Sequence, residues 1–306
     1  MEIISGNSIE NMVDYSFGDQ AGVLMGIPGA FMKKANSTNE EFIGFVHKKK
    51  GVITLFIDNI RLYKRQIKHN EADKKWVEYL QGEDLLELCS RLPSYKFVIY
   101  TSHEDTPIDE HIVVPDNVVK IYATNAIYNN DKIIPFPYGL QRKMNVDDNR
   151  IEIMTELVEK DEHQEPTKLL YINCGLGSER NAPERAYLPE FEKYEWATCR
   201  FNKDSMHFPY SKYREFLTEM RDHKFMICPQ GHGIDCHRNW ELLYMRRVPV
   251  MKLSPYFARL MQGFPVLFVE RWEDVTEELL KANDHLYQEA LTMDLSKLDL
   301  NKYEAR

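Results

Sequence analysis

The segment CPQGHGIDCHRNWE, residues 228–241, gathers two glycines, two histidines, two cysteines, two acids and an arginine between apolar runs. Gly231 and Gly233 let the backbone turn sharply and approach a ligand closely. Arg238 follows in what reads as the first turn of a helix, where a planar guanidinium fork matches phosphate oxygens. Glu241 stands three residues on, on the same helical face, where a carboxylate can accept hydrogen bonds from sugar hydroxyls. Phosphate and sugar are thus both addressed from a single helical turn. The plainer alternative is a glycine turn with Asp235 as the helix cap and Arg238 paired to Glu241.

Other chemistries fit this loop less well. Cys228, His232, Cys236 and His237 have the atoms of a zinc site, but ligands pressed into one short loop, two of them adjacent, need unusual backbone geometry. The dinucleotide fingerprint fails because Cys236 occupies its third glycine position, and the chain has no GxxxxGK phosphate loop. A Cys236–His237 nucleophile pair is disfavoured because neighbours at a helix start point in different directions.

The elements that must position these residues are strand, glycine loop and helix. KFMIC is a short buried strand, PQGHGIDC the loop, and the helix begins at or just after Cys236. The same alternation predicts strands over 168–173, near Trp196, and over 224–228, 248–252 and 265–270. Helices are predicted from Pro183, over 211–223, from His237 and from Pro255. In the helix over 211–223, Tyr213, Phe216, Leu217 and Met220 recur at i, i+3, i+4 and i+7, a core-facing stripe. Upstream, EFIGFVHKKKGVITLFIDN reads as two strands joined by a turn at Lys48–Gly51. A helix from about Glu83 to Leu92 stops at Pro93, and further strands are predicted at YKFVIYT, VVKIYAT and KIIPFPYG. The segment TEELLKANDHLYQEALTM reads as an amphipathic helix. Alternating strands and helices predict an α/β fold of doubly wound units. The predicted units are an N-terminal α/β domain over 1–150, a C-terminal α/β domain over 151–285, and a helical tail over 286–306 that packs back on the first domain.

At 306 residues the chain is long enough for two such domains, and 43% hydrophobic residues suffice for ordinary cores. A formal charge of −9 argues against a nucleic-acid partner, so an anionic ligand must be met by local cations. HKKKG and RLYKRQIKH are most simply solvated charge. Five scattered cysteines predict free thiols and a reducing compartment. With no leader-like N-terminus and no apolar run of membrane-spanning length, the expected setting is cytoplasmic, bacterial or viral rather than the Golgi lumen.

The run KFMICPQGHGIDCHRNWELLYMRRVPVMK, followed by GFPVLFVERWEDV, resembles the nucleotide-binding half of exostosin-like glycosyltransferases (family 47). Their pattern is an apolar strand, Pro-x-Gly-x-Gly-x-Asp, an Arg, then Trp-Glu, a turn before Pro-Val, and a later Pro-Val run ending in Trp. The likeness covers about residues 168–280. IYATNAIYNNDKIIPFPYG and YINCGLGSERNAPER are similar to the end of the family's first half and the start of its second. Arg246 and Arg247 stand where the family often has a small residue, and Gln230 where an arginine is common. The resemblance implies a GT-B fold, two Rossmann-like domains facing a central cleft, and a metal-independent inverting enzyme with no cofactor. Its donor would be a nucleotide-sugar, usually a UDP-sugar, and its acceptor a glycan or glycoconjugate hydroxyl. Arg238 would then meet the diphosphate and Glu241 the ribose, with Asp235 and His237 shaping the pocket and Arg185 a second phosphate partner. No two aspartates in the chain are separated by a single residue, so the Asp-x-Asp metal clasp of the other major transferase architecture is absent.

Inversion also needs a base facing the donor from the other domain. The loop TSHED, after a buried strand, offers Asp105, His103 and Glu104, with Asp58 behind them. Asn125, Tyr138 and Gly139 are candidates for the acceptor side. Three alternatives remain open: a fucosyltransferase-like enzyme using a GDP-sugar, a sugar-nucleotide epimerase, and a non-catalytic glycan-binding protein.

Overall fold

The computed structural model describes residues 3–17, 39–57, 62, 84–101, 105, 107–141, 148–160, 165–176, 182–202, 212–231 and 233–303. In chain order the first half contains α1 (Gly6–Met12), β1 (Tyr15–Ser16), α2 (Asn39–Val46), β2 (Val52–Ile57), α3 (Leu85–Ser90), β3 (Lys96–Thr101), β4 (Val118–Ala123) and β5 (Ile133–Pro135). After the linking helix α4 (Arg150–Lys160) come β6 (Lys168–Gly175), α5 (Ala182–Arg185), β7 (Ala197–Asn202), α6 (Tyr213–Arg221), β8 (His223–Ile227), α7 (His237–Tyr244), β9 (Val248–Lys252), α8 (Pro255–Leu260) and β10 (Leu267–Val269). The chain closes with α9 (Glu277–Ala282), α10 (Asp284–Thr292) and two 3₁₀ turns.

The strands form two five-stranded sheets, parallel throughout, as the α/β alternation predicts and compatible with two Rossmann-like units. The first runs β1-β2-β3-β4-β5 without a reversal among its described strands; the second runs β7-β6-β8-β9-β10. In the second, the chain steps one way from β6 to β7 and the other way from β6 to β8. In sheets of this kind such a reversal leaves a crevice beyond the carboxyl ends of the two flanking strands, here β6 and β8, which is the usual ligand position. Tyr213, Phe216, Leu217 and Met220 of α6 are buried, as their stripe requires.

Three local expectations are corrected. The segment EFIGFV lies in helix α2, not a strand: Asn39, Glu40 and Glu41 suit a helix start, and the buried Phe42 and Val46 lie at i, i+4. A short apolar run carries no period that separates buried strand from buried helix. The amphipathic helix after Thr276 breaks at Asn283, whose side-chain amide donates to the Leu279 carbonyl at 2.8 Å. KIIPFPYG pairs only over Ile133–Pro135, since its prolines cannot donate to a ladder.

The C-terminal segment reaches the first sheet. Leu300 is buried with Ile4, Ile9, Phe56, Val98, Tyr100 and Phe136, and Asp299 bridges Ile3. Among the described residues no helix is long and apolar enough to cross a membrane.

Candidate functional site

Helix α7 presents two chemically different faces. His237 and Tyr244, at i and i+7, bond to Gly139 and Ile4 of the first half, with Trp240 at i+3 bonded to Asp235, whereas Arg238 and Glu241, at i and i+3, face β6 and α6.

The first face forms a seam with the first half of the chain. Asp235, 1% exposed, accepts hydrogen bonds from the Cys236 amide at 2.8 Å, Asn239 Nδ2 at 2.8 Å, Trp240 Nε1 at 2.9 Å and, from the first half, the Tyr138 amide at 3.0 Å. Burial pushes the Asp235 carboxyl up to about 6 while these donors pull it down, so above that pH it stands as the carboxylate. Its own amide donates to Asn125 Oδ1 at 2.8 Å, and the Asn125 amide donates to the Tyr256 hydroxyl at 3.0 Å. His237 Nδ1 donates to the Gly139 carbonyl at 2.8 Å, and its ring lies 4.5 Å from that of Tyr138.

Two backbone positions admit this seam. A Cβ on Gly233 would stand 2.9 Å from Asn125 Nδ2, 3.0 Å from Asp105 Oδ1 and 3.2 Å from Asp105 Cα. Gly139 has φ +67°, and a Cβ there would meet the Ile4 carbonyl oxygen at 2.3 Å. Gly139 therefore requires glycine, and at Gly233 a side chain would have to push Asn125 and Asp105 aside.

The helix cap differs from the expected one. Cys236 is the N-cap and makes no side-chain cap bond, while Asp235 spends its oxygens on the seam. Burial pushes the Cys236 thiol up to about 12, and His237 is turned to Gly139, so the two do not form a nucleophile and base. Among the described residues no group of three His, Cys, Asp or Glu side chains is placed to hold a metal ion.

The second face of α7 lies at the crevice between β6 and β8. Arg238 donates from one terminal nitrogen to the Asn173 carbonyl near the end of β6. Its guanidinium carbon lies 4.4 Å from the centre of the Phe216 ring, and its Nε stands 3.5 Å from Glu241 Oε2. The expected Arg238–Glu241 pair is therefore present. Glu241 is buried, and its other oxygen accepts from the Tyr213 hydroxyl at 3.0 Å. Arg185, from α5, spans the crevice: one terminal nitrogen donates to the Gly175 carbonyl at 2.6 Å and the other to the Gln230 carbonyl at 2.7 Å. These carbonyls end β6 and follow β8. The Nε of each arginine is buried without a hydrogen-bond partner. Cys174 feels both positive charges, although burial outweighs them and raises its thiol.

The structure thus brings Arg185, Arg238 and Glu241 together at the crevice, and Asp105, Asn125, Tyr138, Gly139, Gly233, Asp235 and His237 together at the seam. Gly231 lies between them in the loop. Asn125 and Tyr138 are buried against the loop of the second half rather than open to solvent. Asp58, His103, Glu104 and His232 lie outside the described residues.

Sequence reasoning missed Tyr213, Phe216 and Asn173 as parts of the crevice, and Asn239, Trp240 and Tyr256 as parts of the seam. A hydroxyl inside an otherwise apolar stripe was the available signal for Tyr213, since a buried O–H needs an acceptor. No protein-family model and no curated protein matches this sequence, so the functional reading rests on the chemistry of the site.

Proposed function

We propose that the chain is an inverting glycosyltransferase of the GT-B type that takes a sugar from a nucleoside diphosphate donor, a UDP-sugar before others, and moves it to a glycan hydroxyl. The observation that carries this reading is the convergence of Arg185 and Arg238 on the crevice where the strand order of the second sheet reverses. A departing diphosphate needs positive charge fixed in advance, and two guanidinium groups beside the start of α7 supply it without a metal. Arg185 supplies at Gln230 the cation that the resembling pattern often carries within the loop.

The position of Asp105 supports the second half of the reaction. It follows β3 and stands against Gly233, which follows β8, so loops beyond the carboxyl ends of the two sheets meet there. In the proposed step the acceptor oxygen bonds to the anomeric carbon. The carbon–phosphate oxygen bond breaks with its electron pair leaving on the diphosphate, and the acceptor proton passes to the Asp105 carboxylate.

A thermal-shift series with UDP, GDP and their sugars tests the reading, because a ligand that binds only the folded state raises its apparent stability. Uridine compounds are expected to raise Tm, and donor consumption is expected to require an acceptor sugar. A response to guanosine compounds alone moves the donor to the GDP class. Turnover without an acceptor indicates an epimerase, binding without turnover a glycan- or nucleotide-binding protein, and no response to any nucleotide overturns the reading.

A further inference from the structure

Resting on the proposed anion site, we infer that Glu241 is a positioning residue: with Tyr213 it sets the direction of the Arg238 guanidinium and makes no contact with the ligand's sugar. Its two oxygens already have partners, the Tyr213 hydroxyl at 3.0 Å and Arg238 Nε at 3.5 Å. Tyr213 is buried in the α6 stripe, and burial with the nearby Glu241 charge holds its hydroxyl protonated, which keeps it a donor. Glu241 is 8% exposed, and a ribose hydroxyl that drew on Oε2 would compete with the Arg238 charge for it.

The fork of Arg238 needs such control. Arginine carries many rotamers, and a phosphate-binding fork works only if one is selected before the ligand arrives. Here four groups select it: Glu241 beside Nε, the Asn173 carbonyl at a terminal nitrogen, the Phe216 ring beneath the plane, and Tyr213 holding Glu241. Asn173 is itself fixed, its Nδ2 donating to the Tyr171 hydroxyl at 2.8 Å, which donates to Glu219 Oε2 at 2.7 Å. The network places a carboxylate behind the arginine, where it orients the cation.

The test compares ligands with and without ribose. Calorimetric titration of UDP, GDP and inorganic pyrophosphate is carried out on the wild-type chain, Glu241→Gln and Tyr213→Phe, with apo Tm and circular dichroism as folding controls. Glu241→Gln keeps an acceptor for Tyr213 but sets an amide against Arg238; Tyr213→Phe removes the hydroxyl alone. The expected result is that Glu241→Gln weakens pyrophosphate and the bound nucleotide by the same factor, about tenfold, and Tyr213→Phe weakens both by a smaller common factor. Weakening of the nucleotide with pyrophosphate unchanged shows a ribose contact and overturns the inference, as does no change in either ligand. If Glu241→Gln fails to fold, Tyr213→Phe decides by the same criterion. If the wild-type chain binds none of the three, the proposed anion site falls and the inference falls with it.

Discussion

The two faces of α7 use similar residue types for opposite ends. On the seam face, the Asp235 carboxylate is enclosed by donors from both halves of the chain and is 1% exposed. On the crevice face, Arg238 keeps 22% of its side chain exposed and its Nε lacks a hydrogen bond. A fully satisfied buried charge is architecture, because any ligand would have to displace bonds already made. A cation left partly exposed at a crevice is where an anion gains most. The difference separates, within one loop and helix, the residues that join the sheets from those proposed to meet a substrate.

If that division is right, seam variants lose stability and crevice variants lose ligand. The largest effect belongs to Gly139→Ala, which combines a left-handed backbone with a clash against Ile4 main chain and should cost about 3 kcal/mol or more, read as a lower denaturation midpoint. Asp235→Asn replaces an acceptor of four donors with an amide whose own N–H groups meet them. It should cost about 2–3 kcal/mol at pH 7 in the same assay. Either variant retaining wild-type stability would remove the seam from the account.

On the other face, Arg238→Ala should weaken diphosphate binding about tenfold or more, roughly 1.4 kcal/mol or above, with a smaller loss of Tm than the seam variants show. A large loss of Tm with binding intact would reverse the comparison. Gly233→Ala sits between the two, with an expected cost of about 1–2 kcal/mol as the loop moves off Asp105 and Asn125. Turnover should fall more than donor affinity if Asp105 is the base.

The smallest effect is a pH dependence behind the crevice face, where the His223 ring stacks on that of Tyr171 at 4.8 Å. His223 is buried, donates from Nδ1 to the Glu219 carbonyl at 2.8 Å and accepts from Thr198 at 2.9 Å, and burial lowers its pKa below the usual 6.5. The unfolded chain therefore binds a proton near pH 6.5 that the folded chain resists. Stability from this site is present above that pH and declines as pH falls through it. His223→Gln should flatten the acid side of a Tm–pH curve; an unchanged slope would exclude His223 as its source.

Legibility along the chain followed the range of the forces involved. The strands and helices of the second half were readable because 2-residue and 3.6-residue periods are local. So was the strand, glycine loop and helix around Gly231, Gly233 and Arg238. The α2 segment was misread because its six apolar-rich residues, EFIGFV, fit both periods. Arg246 shows a subtler limit. Its turn puts a non-glycine residue at φ +55°, and the offsetting bonds are to the Leu291 and Met293 carbonyls, some 45 residues away in the chain.

By itself, the amino-acid sequence determined the α/β alternation, the helix start after Cys236, the stripe on α6 and the placing of an arginine and a glutamate on one helical face. Each follows from contacts within a few residues. Only the tertiary structure decided that β6 and β8 flank the reversal in strand order, that Arg185 spans it, that Asp235 belongs to the seam, and that Glu241 is held by Tyr213. Those facts depend on pairings between distant strands and on burial from both halves at once. No local period encodes which of two polar side chains, three residues apart, will be enclosed and which will face a crevice.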